Sequence, residues 1–293
     1  MRRNAELAQD YAFRHNVPKW YDQAPALIND PEVDAIYVAT PPAFHQEYTL
    51  LAAKSGKPVY VEKPMARNYP ECQAMIQACH ATEVPLFVAY YRRSLPRFTK
   101  IKELLDSKAI GEIRAVTSTL SITRQEDLNP VLSWQVDPKI SGGGWFMDMV
   151  CHNLDLLDFF LGPIRKVDGT ATNQAGRYQV EDMVSGGFIF ESGVHGVGAW
   201  SFAGYKNLDR TEIIGSQGKI TFSTFGAEPI LLTTETETVE FVIDNPLHVQ
   251  QPLVQTVVNA LNGVGSCPST GESAARTAWV MDEFLKGFRE KNG

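Results

Sequence analysis

Asp148 and His152 stand four residues apart, so on a helix both side chains leave the same face, and Asp155 extends that face. A histidine titrates near neutrality and suits the transfer of a hydroxyl proton. A carboxylate one turn away can orient the imidazole or bind a substrate hydroxyl. Gly142, Gly143 and Gly144 come just before, and a backbone without side chains can approach a ligand closely. The same spacing also describes a solvated helix face with a surface ion pair, and spacing alone does not separate the two readings.

A second candidate group lies at the ends of three apolar runs. Ala35–Thr40, Pro58–Val61 and Pro85–Tyr91 are followed by Pro41-Pro42, Glu62-Lys63-Pro64 and Arg92-Arg93. Open parallel sheets bind ligands beyond the carboxyl ends of their strands. Lys63 at such an end can polarise a substrate oxygen and stabilise a developing alkoxide. Its plain alternative is a strand-end lysine in solvent.

The elements that must carry these residues alternate over the first 93 positions. Asn4 predicts a helix start, with Leu7 and Tyr11 on one face. Phe44, Tyr48, Leu51, Ala52 and Ser55 recur at helical spacing, and Gly56 stops them. Asn68-x-x-Glu71 reads as a capping box for a helix bearing Met75 and Ile76. Buried runs separated by helices mean βαβ units and a parallel sheet. After Arg93 the rhythm changes. A helix with Phe98, Ile101 and Leu105, a strand near Ile113–Ile122 and a helix from about Trp145 to Leu161 precede a β-rich stretch from Ile164 to Ile243. Strands at Val184–Phe190, Val194–Phe202, Arg210–Ile214 and Lys219–Ser223 predict an antiparallel sheet. A closing helix carries Ala274, Ala278, Met281, Leu285 and Phe288 in one stripe.

Composition narrows the function classes. The chain has 293 residues, 44% apolar and 21% charged, with formal charge −7. That balance disfavours nucleic acid and anionic membranes, which need a cationic surface. No run of about 18 apolar residues predicts a membrane span, and no signal-peptide pattern is visible. Cys72, Cys79, Cys151 and Cys267 form no C-x-x-C, so no zinc site is expected. Cys72 and Cys79 share the face of Met75 and Ile76 and read as core. A reduced, cytoplasmic compartment fits.

With these residues in hand, the chain resembles the Gfo/Idh/MocA family of NAD(P)-dependent oxidoreductases. Three signatures carry the resemblance: Val33-Asp34-Ala35-Ile36-Tyr37-Val38-Ala39-Thr40-Pro41-Pro42 with His45; Gly56-Lys57-Pro58 leading to Glu62-Lys63-Pro64; and Gly142-Gly143-Gly144 with Asp148, His152 and Asp155. It implies an α/β fold, a Rossmann-like parallel domain over 1–93 followed by an α+β domain with an open antiparallel sheet over 94–293. The last helix, about 272–289, would pack back on the first domain. The resemblance further implies that a strand, glycine loop, helix and second strand, about thirty residues, are absent ahead of Met1. The third strand would then lie near Lys19–Tyr21, and Ala35–Thr40 would become an exposed, association-prone edge. Cofactor binding by residues 1–293 alone would be weak.

The resemblance assigns Lys63, Asp148 and His152 to catalysis, and Lys63, Arg92, Asp148 and His152 to substrate, with Arg93 near the same cleft. It places Thr40, Pro41, Pro42, His45, Glu62, Lys63 and Trp134 beside the cofactor, and suggests a cis Lys63-Pro64 bond. Arg2 and Arg3 would pair with a 2′-phosphate, which favours NADP over NAD. Two departures bear on substrate: Trp134-Gln135 replaces a Trp-Arg pair, and Val150 is bulkier than the usual Gly or Ala. The implied activity is hydride transfer between NADP(H) and a sugar, polyol or keto-sugar, in a homodimer or homotetramer joined through the C-terminal sheet. The alternative is a non-catalytic ligand-sensing or regulatory member of the same fold.

Overall fold

Prolines delimit the first sheet. In the computed structural model, which describes residues 1–123 and 134–292, β1 (Ile36–Val38), β2 (Val59–Val61) and β3 (Leu86–Val88) pair in parallel in the order β1-β2-β3. The strands are shorter than their apolar runs, because proline offers no N–H to a ladder. Pro58 and Pro85 still serve as acceptors: Ile36 N donates to Pro58 O at 2.9 Å and Val59 N to Pro85 O at 3.0 Å. β1 forms one edge of the sheet.

Helices α1 (Ala5–Arg14), α2 (Ala24–Ile28), α3 (His45–Lys54) and α4 (Tyr69–Ala81) surround these strands. Asn4 caps α1 by accepting from Leu7 N at 3.0 Å. Asn68 caps α4 by accepting from Glu71 N at 2.9 Å. Only half of the capping box forms, since the Glu71 carboxylate accepts from Arg67 N instead. The strand expected near Lys19–Tyr21 is a loop. Tyr21 O accepts from Arg2 N at 3.2 Å, and the Tyr21 hydroxyl is drawn to Asp30. Local side-chain partners fix this segment where no strand lies beside it to pair with.

The second sheet has eight strands: β4 (Ile113–Ser121), β5 (Ile164–Thr172), β6 (Met183–Phe190), β7 (His195–Ser201), β8 (Leu208–Gly215), β9 (Gly218–Phe222), β10 (Ile230–Thr234) and β11 (Thr238–Phe241). Their order is β11-β10-β9-β8-β4-β7-β6-β5. One pair departs from the antiparallel expectation: β4 and β7 run parallel, from Ala115↔His195 to Ser121↔Ser201. The chain leaves after β4, re-enters at the β5 edge and returns by hairpins, so β7 arrives beside β4 in the same direction.

Helices α5 (Pro96–Asp106), α6 (Pro138–Ser141), α7 (Cys151–Leu161), α8 (Gln251–Leu261) and α9 (Gly271–Asn292) complete the described chain. α9 packs on β5, α4, α7 and β3, and so touches both sheets. Beneath it Trp200 meets Phe146 and Phe284 edge-on at 5.6 and 5.3 Å. Gly169 is required there, because a Cβ would sit 2.3 Å from Phe284 Cδ1. Cys72 and Cys79 are buried in the core, as their spacing predicts. No described helix is long and apolar enough to cross a membrane.

The helix expected from Trp145 is not uniform. Phe146–Val150 form a π turn that feeds into α7. Asp155, read as part of a reactive face, points inward. Arg93 donates through Nε to Asp155 Oδ2 and through Nη2 to Asp155 Oδ1, both at 2.8 Å, and also reaches Asp158 and Pro268 O. Arg276 closes the cluster on Asp158 at 2.8 Å. Burial pushes Asp155 up to about 6 against the pull of Arg93. An interior carboxylate needs such partners, and this cluster ties the end of β3 to α7 and α9.

Candidate active site

The second residue after β2 begins the site. Lys63 precedes a cis bond to Pro64. Its Nζ donates to Asp148 Oδ1 at 2.7 Å and to Asp148 O at 2.9 Å. The two side chains are 19% and 23% exposed, which separates this contact from a solvated surface pair. Burial opposes the Lys63 charge, but Cys151 and Asp148 outweigh it and raise its pKa. Burial pushes the Cys151 thiol up to about 12, so the thiol is neutral at physiological pH and Asp148 is the partner that keeps Lys63 protonated.

His45 shapes the turn around Lys63 from within. It is fully buried, with Nε2 2.6 Å from Thr40 O and Nδ1 3.1 and 3.2 Å from the carbonyls of Pro64 and Met65. It therefore joins the loop after β1 to the loop after β2, and its ring is occupied by backbone rather than presented to a ligand. Burial lowers its pKa despite those carbonyls.

His152 opens α7 and is 5% exposed. Tyr91, Phe225 and Tyr90 present edges to its ring at 5.4, 6.0 and 6.1 Å. Its Nδ1 has no hydrogen-bond partner. Burial holds its pKa well below the ordinary histidine value, and the Lys63 and Arg92 charges add to the effect. Among the described residues no hydrogen bond joins Asp148 to His152. The carboxylate, expected to bind a substrate hydroxyl or orient the imidazole, accepts from Lys63.

Arg92 follows β3 in a short 3₁₀ turn, Tyr91–Ser94, and its guanidinium lies 4.8 Å from the Phe225 ring and 5.2 Å from Tyr91. Arg93 belongs to the buried cluster described above, not to this cleft. The glycine triplet also serves the interior. At Gly142, where φ is +84°, a Cβ would lie 2.3 Å from Arg67 O, and at Gly144 it would lie 2.6 Å from Glu181 O. Gly144 N donates to Glu181 Oε1 at 2.7 Å. The close approaches at Gly142 and Gly144 are thus to Arg67 and Glu181.

The cofactor-side candidates divide. Thr40, Pro41 and Pro42 follow β1, and the buried Thr40 Oγ1 has no partner. A cavity of about 150 Å³ runs along β1 between Leu27, Ile36, Val38, Thr40 and Tyr48. Neither Lys63 nor His152 lines it. Glu62 accepts from Gln250 Nε2 at 3.0 Å and from the Tyr37 hydroxyl. Arg2 and Arg3 are exposed, with no ion pair among the described residues. Arg2 lies 5.5 Å from the Tyr11 ring and Arg3 4.5 Å from the Phe44 ring. Trp134 is partly exposed at the head of a 3₁₀ turn, and no described contact brings it to Lys63 or His152. Sequence reasoning missed Phe225 and Cys151 as neighbours of the site. Phe225 had no local signal, because a loop far along the chain delivers it.

Residues 1–90 match the model described as the oxidoreductase family with an NAD-binding Rossmann fold, and residues 98–221 match the GFO/IDH/MocA C-terminal domain. "Oxidoreductase P35" of Formosa agariphila is 36% identical over 288 residues, covering 97% of this chain and 88% of that protein. Myo-inositol 2-dehydrogenase of Thermotoga maritima is 31% identical over 225 residues, 75% of this chain and 65% of that one. Among solved structures, levoglucosan dehydrogenase in complex with NADH and levoglucosan superposes with a TM-score of 0.87 at 23% identity, covering 99% of this chain and 87% of that chain. At that identity the likeness speaks for the fold.

Proposed function

This chain belongs to the Gfo/Idh/MocA oxidoreductase family, and on that premise we propose that Lys63, Asp148 and His152 form its catalytic site, with His152 moving the proton. The protein is an NAD(P)-dependent oxidoreductase of sugars and polyols. The observation that carries the site assignment is the Lys63–Asp148 pair, 2.7 Å apart, beside the buried His152 with its unpartnered Nδ1.

NAD(P) supplies the acceptor or donor of hydride. The buried Thr40 hydroxyl without a partner would suit such a group, and Thr40, Pro41, Pro42 and Glu62 would hold its nicotinamide side. The cavity along β1, about 150 Å³, is smaller than the roughly 300 Å³ at which ligand pockets begin and would take only a small part of it. Arg2 and Arg3, exposed and without an ion pair among the described residues, would hold a 2′-phosphate, which favours NADP(H). In the oxidation direction the carbinol C–H bond breaks and its electron pair leaves with the hydride, while the hydroxyl proton passes to neutral His152. Lys63 donates to the same oxygen and stabilises alkoxide character in the transition state. Asp148 holds Lys63 charged and aimed. Reduction returns the proton along the same path. A ligand sensor has no use for an unpartnered buried imidazole next to a paired lysine, so this arrangement favours the enzyme.

The units proposed are residues 1–93, built on the parallel sheet, and 94–293, built on the eight-stranded sheet. Self-association through that larger sheet is supported by exposed Val197 on β7. Four free, buried cysteines suit the cytoplasm. The test follows NAD(P)H absorbance over polyols and keto-sugars. Lys63→Met and His152→Ala are each expected to lower kcat by about 10²-fold or more. Near-unchanged kcat in both variants would remove the site.

A further inference from the structure

Among the described residues, Arg92 is the one interior arginine whose side chain has neither a carboxylate nor a carbonyl partner. Arg93 holds Asp155 and Asp158, Arg276 holds Asp158, and Arg289 holds Asp282. Arg97 donates to the carbonyls of Gly226, Ser223 and Glu228. Arg92 Nε is buried without a partner, and the guanidinium lies over the rings of Tyr91, Phe98 and Phe225. Two of those rings, Tyr91 and Phe225, are the same rings that flank His152. The bare guanidinium and the bare imidazole therefore pack against the same two rings.

We infer that the substrate is a polyhydroxy carboxylate, an aldonic or uronic type of sugar acid, whose carboxylate is received by Arg92 while its reacting carbinol meets Lys63 and His152. This rests on the reading of Lys63, Asp148 and His152 given above. Burying a guanidinium among aromatic rings without an anion forfeits much of its hydration, and cation–π contacts restore only part. A carboxylate would supply the missing bidentate hydrogen bonds. The charge count selects carboxylate over phosphate. Lys63 is already neutralised by Asp148. Asp209 and Arg97 act on Arg92 through space with opposite signs, and Asp209 Oδ2 already accepts from Ser223 Oγ and Phe225 N, each at 2.6 Å. At the guanidinium end of the site, Arg92 and Arg97 against Asp209 leave one positive charge. That matches a carboxylate better than a phosphate monoester, which carries −1.5 to −2 at neutral pH.

The experiment is calorimetric titration of the full chain with D-glucuronate, D-galacturonate and D-gluconate, each against its neutral counterpart D-glucose, D-galactose or sorbitol. D-glucose 6-phosphate serves as the phosphate arm. At least one acid is expected to bind tenfold or more tighter than its neutral counterpart, with glucose 6-phosphate weaker than that acid. Arg92→Gln should bring the acid-to-neutral ratio to about one, and Arg92→Lys should keep only part of it. Circular dichroism confirms that both variants fold. The inference is overturned if no acid outbinds its counterpart, if the ratio survives in Arg92→Gln, or if the phosphate binds tightest. Turnover of a neutral polyol that needs Lys63 and His152, with an acid-to-neutral ratio of one, would sink this inference alone. Arg92-dependent acid binding without hydride transfer to any sugar would sink the catalytic reading alone.

Discussion

Lys63 and Asp148 meet at 2.7 Å although 85 positions separate them in the chain. The carboxylate one helical turn from His152 is thereby committed across the cleft, and the lysine is the group it serves.

Asp148→Asn should remove the charge that keeps Lys63 protonated. The expected result is a fall in kcat of about 10²-fold, with the alkaline limb of the pH–rate profile moving to lower pH. An unchanged alkaline limb would show that Asp148 does not set the Lys63 proton.

His152 should act as a base well below the ordinary histidine range, since burial, Lys63 and Arg92 all disfavour its charged form. In the oxidation direction kcat/KM should therefore show no acidic limb near 6.5, and should fall only at lower pH. Lys63→Met removes one neighbouring cation, so its residual activity should show an acidic limb displaced upward. A limb near 6.5 in the wild type would contradict the placement of His152.

Stability should carry the signature of Glu181. Burial pushes its carboxyl up to about 7 from 4.5, despite the hydrogen bond from Gly144. The folded state then holds a proton that the unfolded chain releases between those values, so this group weakens the fold as pH rises from about 4.5 to 7. At 1.36 kcal/mol per unit the loss is at most on the order of 3 kcal/mol. Glu181→Gln should flatten the dependence of Tm on pH in that window, because its amide oxygen still accepts from Gly144 and carries no charge. A profile as steep as the wild type would refute the assignment.

Arg93→Ala should destabilise the protein by about 3–5 kcal/mol, because Asp155 and Asp158 would lose their main buried partner. Urea denaturation measures it. A cost below about 1 kcal/mol would show that Arg276 alone satisfies both carboxylates.

Cofactor choice is read from binding constants. NADP(H) should bind more tightly than NAD(H), and an Arg2→Ala/Arg3→Ala double variant should narrow the difference by up to about 3 kcal/mol, the scale of charge-assisted hydrogen bonds. Tighter wild-type binding of NAD(H) would overturn the role of these arginines.

Local chemistry was legible in the sequence and long-range chemistry was not. Asn4 and Asn68 announce their helices because a cap is a contact over three residues. The three parallel strands follow from apolar runs and their prolines. The glycine triplet says that something comes close, but only the packing of Arg67 and Glu181 says what. Likewise His45 next to Pro41-Pro42 reads as a ligand contact until the carbonyls of Thr40, Pro64 and Met65 are found around its ring. The parallel β4–β7 pair depends on the route of the chain between them, which strand patterns do not encode.

The π turn at Phe146–Val150 sets the angular phase between two parts of one helical segment. Such a turn holds one residue more than an α turn needs, and each residue of an α-helix advances the direction of its side chains by about 100°. Removing a single residue there would let α7 run back as a regular helix. His152, downstream, would keep its bearing, while Asp148 would swing by roughly that angle away from Lys63. Relative timing along the helix axis, set by one surplus residue, is what allows a carboxylate and an imidazole on the same segment to serve different partners.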